Sequence, residues 1–157
     1  MLRLHVMTSE DWPMWRQVRL AALADSPHAF RARLDDWSRG GEKQWRERLT
    51  APGTYNLVAV LDERAVGVAR GVPRGAGGGV VELRSVWVGP RARGRGVGDR
   101  LIAAVEAWAL RTEADTLELA VRPDNESAVT LYRRNGFAFT GTDAAGQRLM
   151  AKRLRLE

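Results

Sequence analysis

Residues Val80–Leu101 have the sequence VVELRSVWVGPRARGRGVGDRL, and this stretch decides the fold. The apolar segment Val80–Val88 is typical of a buried strand, and it leads through the Gly/Arg turn Arg93–Gly98 into an amphipathic helix, Gly94–Thr112. The first turn of a helix has backbone N–H groups without intrahelical partners and carries the positive end of the helix dipole. Glycines let an anion approach these groups without a Cβ in the way. The stretch therefore predicts a strand, a turn that binds a phosphorylated ligand, and a helix.

The turn lacks two common phosphate-binding motifs. The Walker A string, GxxxxGK followed by Ser or Thr, does not occur in the chain. The dinucleotide fingerprint GxGxxG fails because Asp99 stands where the third glycine is needed. What remains is R-x-x-G-x-G, Arg93-Gly94-Arg95-Gly96-Val97-Gly98. The structural alternative is a glycine-rich connector with solvated arginines.

This hexapeptide resembles the pyrophosphate-binding signature of the GCN5-related N-acetyltransferase (GNAT) superfamily, which binds acetyl-CoA. A second signature of that family follows the predicted strand Thr116–Val121, in the order and spacing that the family has. It consists of Asn125, Ala128, Tyr132 and Gly136-Phe137. The resemblance covers residues 55–155, and it extends to residues 1–54 only by general layout.

The resemblance implies an α/β (α+β) fold for a single N-acetyltransferase domain, residues 1–157. Its central sheet is mixed and mostly antiparallel, with six to seven strands flanked by about four helices. Strands 4 and 5, here Val80–Val88 and Thr116–Val121, splay apart and leave a cleft. Local patterns predict the other strands at Leu2–Met7, Tyr55–Leu61, Ala65–Gly71, Phe137–Gly141 and Gln147–Leu154. They predict the other helices at Glu10–Ala24, Glu42–Thr50 and Asn125–Asn135, with a short helical piece at Ala32–Trp37.

By the same resemblance, the function is acetyl-CoA-dependent transfer of an acetyl group to a primary amine, directly within a ternary complex. The absence of cysteine is consistent with direct transfer, because no cysteinyl acyl-enzyme can form. The alternative is a non-catalytic acyl-CoA-binding sensor or partner module of the same fold. The acceptor is not assigned, since acceptor recognition falls in the part of the chain with the weakest resemblance.

The residues expected to bind acetyl-CoA are named by resemblance. They are Val86, Trp87, Val88, Arg93, Gly94, Arg95, Gly96, Val97, Gly98 and Asn125. The edge of strand 4 at Val86–Val88 would pair with the pantetheine arm, and the Val88 N–H would polarise the thioester carbonyl. Asn125 would hydrogen-bond pantetheine, although it is equally suited to cap a helix.

Two residues are expected to move protons. Tyr132 resembles the family's general acid, which protonates the leaving thiolate, and its alternative role is that of a packed aromatic residue. Glu82 matches the position of a general base in some family members. Strict alternation would place it with Arg84, Val86 and Val88 on one face of the strand. A structural Glu82–Arg84 pair, with a water chain as base, remains open.

Composition and charge argue against several other classes of protein. The net charge of +6 comes from 25 basic residues, of which only Lys43 and Lys152 are lysines. The arginines are scattered, whereas nucleic-acid-binding proteins cluster charge on one face, so the charge argues against a nucleic-acid partner. No apolar run approaches the roughly 20 residues that span a bilayer, and no signal-peptide core is present. We therefore expect a cytoplasmic protein without a metal, since His5 and His28 lack ligand partners at useful spacing, and a homodimer is left open.

Overall fold

The computed structural model describes residues 1–25, 41–74 and 79–155. Its strands are β1 (Leu2–Val6), β2 (Tyr55–Leu61), β3 (Arg64–Arg74), β4 (Val80–Val88), β5 (Thr116–Val121), β6 (Ala138–Thr142) and β7 (Arg148–Arg153). Its helices within these ranges are α1 (Trp12–Asp25), α2 (Glu42–Leu49), α3 (Val97–Arg111) and α4 (Glu126–Arg134). The predicted helical piece at Ala32–Trp37 lies outside the described residues.

All seven strands belong to one sheet, in the order β1-β2-β3-β4-β5-β7-β6. Every neighbouring pair is antiparallel except β4 and β5, which run parallel. This confirms the mixed, mostly antiparallel sheet that the resemblance implies. Among the described residues, no helix is both long enough and apolar enough to cross a membrane.

The two central strands diverge soon after they meet. β4 and β5 pair only where Val80–Glu82 lies beside Thr116–Glu118. Beyond these positions β4 continues to Val88 and β5 to Val121 without further pairing between them. The predicted splay is confirmed, and it leaves the last part of β4 with an edge that β5 does not cover.

A β-bulge in β4 changes which side chains share a face. Arg70 of β3 is opposite Arg84, but the next matched pair is Val68 with Trp87, so β4 has one extra residue between them. Ser85 takes up this residue with a positive φ of 58°. One extra residue turns every later side chain of the strand to the opposite face, so Trp87 lies on the same face as Arg84. The prediction that Glu82, Arg84, Val86 and Val88 share one face is therefore wrong.

Apolar side chains fill both sides of the sheet. One core packs α3 against the sheet through Leu101, Ile102 and Val105, all fully buried. The other core, which includes Trp15 and Trp45, packs α1 and α2 against β2–β4. The cleft between β4 and β5 thus opens in a sheet that is covered on both faces.

Candidate active site

The splay opens a cavity of about 780 Å³ beside the end of β4. Ten of the residues predicted for the site line it: Val86, Trp87, Val88, Arg93, Gly94, Gly96, Val97, Gly98, Asn125 and Tyr132. Two predicted residues, Arg95 and Glu82, are not among its lining residues. The structure therefore brings together two sequence segments that are about 30 residues apart in the chain.

The backbone of Val88 faces this cavity. The Gly89 N–H donates a hydrogen bond to the Val66 carbonyl of β3, 2.7 Å away. Successive N–H groups of a strand point to opposite sides, so the Val88 N–H points away from β3 and toward the side from which β5 has diverged. The Val88 carbonyl, on the same side, accepts a hydrogen bond from Arg93 Nε at 2.9 Å. The Val88 N–H therefore points into the cleft, where it is available to donate to a bound molecule.

The turn between β4 and α3 presents bare backbone. Gly94 and Gly96 both have φ of +76°, and Gly96 is the N-cap of α3. A Cβ built on either glycine would meet no atom within 4 Å, so their outer surface is open. The helix N-terminus and the open turn fit an anionic group, as the glycines and the dipole predict.

Gly98 has a different role in the same turn. A Cβ there would lie 3.0 Å from Cδ2 of Leu131, so the absence of a side chain lets α4 pack closely against α3. This close approach helps to hold Tyr132, the next residue of α4, against the cavity.

The Arg93 side chain is engaged within the protein. Its Nη2 donates to Asp25 Oδ2 at 2.6 Å, and the Trp87 indole N–H donates to the same oxygen at 3.0 Å. These bonds connect the end of α1, the end of β4 and the turn. Sequence reasoning missed Asp25, because 68 residues separate it from Arg93 and no local pattern links the two.

Tyr132 lies at the cavity and is also packed against Phe137. The residue is 8% exposed, lines the cavity, and its ring makes an edge contact with Phe137 at 5.9 Å between centroids. Burial raises the pKa of the Tyr132 phenol above its ordinary value. The hydroxyl is therefore protonated at neutral pH and able to donate a hydrogen bond.

Asn125 caps α4 and also lies at the cavity. Its Oδ1 accepts a hydrogen bond from the Ala128 N–H at 3.3 Å, which makes it the N-cap of α4. The same residue lines the cavity, and its amide nitrogen is not part of the cap.

The sequence model of the acetyltransferase (GNAT) family matches residues 9–137. The chain belongs to the GNAT family. L-2,4-Diaminobutyric acid acetyltransferase of Nocardia farcinica is 34% identical over 93 residues, which are 57% of this chain and 48% of that protein. Mycothiol acetyltransferase of Brachybacterium faecium is 30% identical over 138 residues, 86% of this chain and 40% of that protein. The chain spans less than half the length of the curated relatives that it matches.

Solved structures show the same GNAT fold. PaiA N-acetyltransferase of Thermoplasma acidophilum, solved in complex with coenzyme A, superposes with a TM-score of 0.80 at 16% identity. The match covers 98% of this chain and 99% of that chain.

Glu82 lies apart from the GNAT cleft, in an ion pair. Arg84 donates to its carboxylate at 2.8 and 3.3 Å, and the Glu82 side chain is 20% exposed. The structural pairing considered for these two residues is therefore present. The role of Glu82 as general base remains a prediction.

The described residues contain no cluster of three or more potential metal ligands. His5 Nε2 lies 3.1 Å from Asp11 Oδ2, and His28 falls outside the described residues, as does Trp37.

Proposed function

We propose that the protein is an acetyl-CoA-dependent N-acetyltransferase that transfers an acetyl group to a primary amine by direct transfer in a ternary complex. One observation carries the proposal. The Val88 N–H, the open N-terminus of α3 and the Tyr132 side chain all border the cleft that the β4–β5 splay creates. These are a donor for a carbonyl oxygen, a site for phosphate and a proton donor, held around one cavity.

The turn before α3 and the edge of β4 fit different parts of the coenzyme. The backbone N–H groups at Gly94–Gly98 receive the pyrophosphate, because the turn is open and the dipole of α3 favours negative charge there. The exposed Arg95 adds positive charge at this turn. The uncovered edge of β4 at Val86–Val88 pairs with the amide-rich pantetheine arm, to which the Asn125 amide nitrogen donates a hydrogen bond.

Acetyl-CoA supplies the acetyl group as a thioester. The Val88 N–H donates to the thioester carbonyl oxygen, and this bond strengthens as negative charge develops on that oxygen. As the amine nitrogen bonds to the acetyl carbon and the carbon–sulfur bond breaks, Tyr132 donates its hydroxyl hydrogen bond to the departing sulfur and passes it the proton.

The attacking amine must lose a proton, and Glu82 is proposed to accept it. Its bond to Arg84 has to loosen for that step, and a bridging water would have to carry the proton from the cleft. A chain of waters without Glu82 is the other route.

Two relatives support acetyl transfer by their names, L-2,4-diaminobutyric acid acetyltransferase and mycothiol acetyltransferase. The coenzyme A complex of PaiA N-acetyltransferase, which shares the fold, supports the choice of donor. We also propose that residues 1–157 form one domain and that the protein acts in the cytoplasm.

The test is a screen of primary amines with acetyl-CoA, in which transfer is measured as release of free thiol. Amino acids, diamines, aminoglycosides and peptide amines form the panel. Thiol release that depends on one class of amine supports the proposal. Binding of acetyl-CoA without transfer to any amine would instead favour the non-catalytic acyl-CoA-binding module.

A further inference from the structure

One carboxylate oxygen holds two side chains on either side of Val88. Oδ2 of Asp25, in α1, accepts a hydrogen bond from the Trp87 indole N–H at 3.0 Å and one from Arg93 Nη2 at 2.6 Å. Trp87 precedes Val88 in β4, and Arg93 belongs to the turn that follows β4. All four residues line the cavity. Asp25 is therefore bonded to both ends of the segment that carries the Val88 N–H.

Arg93 connects Asp25 to the Val88 backbone. Its Nε donates to the Val88 carbonyl oxygen at 2.9 Å, while its Nη2 is bound to Asp25. A guanidinium group is planar and rigid, so a bond that fixes one of its nitrogens also fixes the direction of the others. A hydrogen bond between opposite charges is stronger than one between neutral groups, so the Asp25 contact sets the position of the Arg93 guanidinium. Asp25 thus acts on the Val88 backbone through Arg93.

The end of β4 is paired with a neighbouring strand on one side only. On the β3 side, the Gly89 N–H bonds to the Val66 carbonyl. On the cleft side, β5 pairs with β4 no further than Glu82 and has diverged before Val88 is reached. A donor that stabilises developing negative charge works best when it is held in place before the reaction. The contacts of Asp25 hold this end of β4 on the side where β5 does not.

The ion pair of Asp25 with Arg93 contributes little to the stability of the fold. The Asp25 side chain is 27% exposed and that of Arg93 is 51% exposed, and pairs that are open to water are weakened by solvent and salt. Glu106 and Lys152 form a comparable pair at 3.0 Å, with side chains 26% and 25% exposed, but neither residue lines the cavity. What distinguishes the Asp25 pair is its position beside the Val88 N–H, which points to a role in the site.

We infer that Asp25 is a positioning residue for acetyl transfer: by holding Arg93 and Trp87, it keeps the Val88 N–H directed at the carbonyl oxygen of the bound thioester. The inference rests on the proposed function, because it concerns the transfer step of that same site. Asp25 takes up no proton and contacts none of the reacting atoms. Its effect reaches them through the Val88 backbone.

The first test separates the rate of transfer from the binding of acetyl-CoA. Asp25→Ala removes the bonds to Trp87 and Arg93, and transfer to an amine is measured by thiol release. We expect kcat to fall by about 10- to 10²-fold, because the Val88 N–H is displaced rather than lost. The KM for acetyl-CoA should change by less than about threefold, since the open turn at Gly94–Gly98 is untouched. The melting temperature should change little, because the ion pair is exposed.

Two further variants separate positioning from a general effect on the fold. Asp25→Asn keeps the shape of the side chain and an oxygen that accepts hydrogen bonds, so it should fold as the wild type does and recover part of kcat. Glu106→Ala is the matched control, because it opens a similarly exposed ion pair away from the cavity, and it should retain the wild-type kcat. A loss of kcat below about threefold in Asp25→Ala, or the same loss in Glu106→Ala, would overturn the inference and leave acetyl transfer intact.

A binding measurement keeps the inference testable if no amine is acetylated, which would refute the proposed function. The NMR signal of the Val88 amide proton is compared in protein bound to acetyl-CoA and in protein bound to CoA, because only acetyl-CoA has a thioester carbonyl. We expect acetyl-CoA to move this signal downfield of its position with CoA in the wild type and in Glu106→Ala. The difference should be smaller in Asp25→Asn and smallest in Asp25→Ala. Equal differences in all four proteins, or none in the wild type, would show that Asp25 does not position the Val88 N–H.

Discussion

Tyr132 and Glu82 were both predicted to move protons, but they lie in different surroundings. Tyr132 lines the cleft and is buried against Phe137, whereas Glu82 is held by Arg84 outside the cavity lining. The positions of the two side chains thus support Tyr132 as general acid more strongly than Glu82 as general base. Each role can be tested by a substitution that removes the proton-transferring group and keeps the shape of the side chain.

For Tyr132→Phe, we expect kcat to fall by about 10- to 10³-fold with little change in the KM for acetyl-CoA, because the hydroxyl acts mainly in the transition state. The ring and its contact with Phe137 remain, so the melting temperature should hold. Because the pKa of Tyr132 is raised, the phenol should stay protonated throughout the neutral range, and loss of its proton should not limit the rate there. Full kcat in the variant would leave Tyr132 with a packing role alone.

For Glu82→Gln, a general base predicts a loss of about 10²-fold or more in turnover near neutral pH, with little change in the affinity for CoA. Glu118→Gln is the control, since Glu118 neighbours Glu82 across β4 and β5 and is likewise paired with an arginine. A loss smaller than about threefold would assign Glu82 to its pairing with Arg84 and the proton to water.

At the level of elements, the junction between β4 and α3 forms the proposed phosphate site. The helix was predicted to begin at Gly94 but begins at Val97, because Gly94 and Gly96 adopt a left-handed backbone that a helix cannot include. The later start leaves the turn open in front of the first N–H groups of α3. The later start of the helix therefore favours binding of an anion at this turn.

For Gly96→Asp, we expect acetyl-CoA to lose its effect on the melting temperature, because the new carboxylate would repel the pyrophosphate and occupy its space. Gly146→Asp is a matched control: Gly146 also has a positive φ, 83°, and open space around its Cβ, but it lies away from the cleft. The control should share the backbone strain and keep the shift. Equal shifts in wild type and Gly96→Asp would place the coenzyme elsewhere.

For the molecule as a whole, one sheet carries both apolar cores. Val58 and Val68 face the core of α1 and α2, while Ala59 and Ala69, the next residues of the same strands, face the core of α3. Because the two cores share these strands, unfolding of either core would expose apolar side chains of the other.

We therefore expect residues 1–157 to unfold in one cooperative transition, as a single domain does. Tryptophan fluorescence reports mainly on the core that contains Trp15 and Trp45, and far-ultraviolet circular dichroism reports on all helices and strands. The two signals should give the same midpoint in urea. Two separate midpoints would show that the halves of the chain fold independently.

Much of the fold was predictable because its signals are local. Strands β2, β4 and β5 have the bounds that their apolar runs predict, since hydrophobic periodicity depends only on neighbours in the chain. The open turn at Arg93–Gly98 was predictable for the same reason, because glycine backbone freedom and a helix N-terminus are properties of a few consecutive residues. The second motif, from Asn125 to Gly136-Phe137, was identified by its resemblance to the family signature.

Contacts between distant residues were decided only by the tertiary structure. The bulge at Ser85 reverses the predicted faces of β4, because alternation assumes a regular strand and the partner strand sets the register. The bond from Arg93 to Asp25 and the opposition of Arg70 to Arg84 join residues whose order in the chain carries no sign of their meeting. Local sequence thus determined the elements and the turn at the start of α3, whereas strand pairing determined which charged side chains share a face of the sheet, because side-chain contacts across a sheet depend on register.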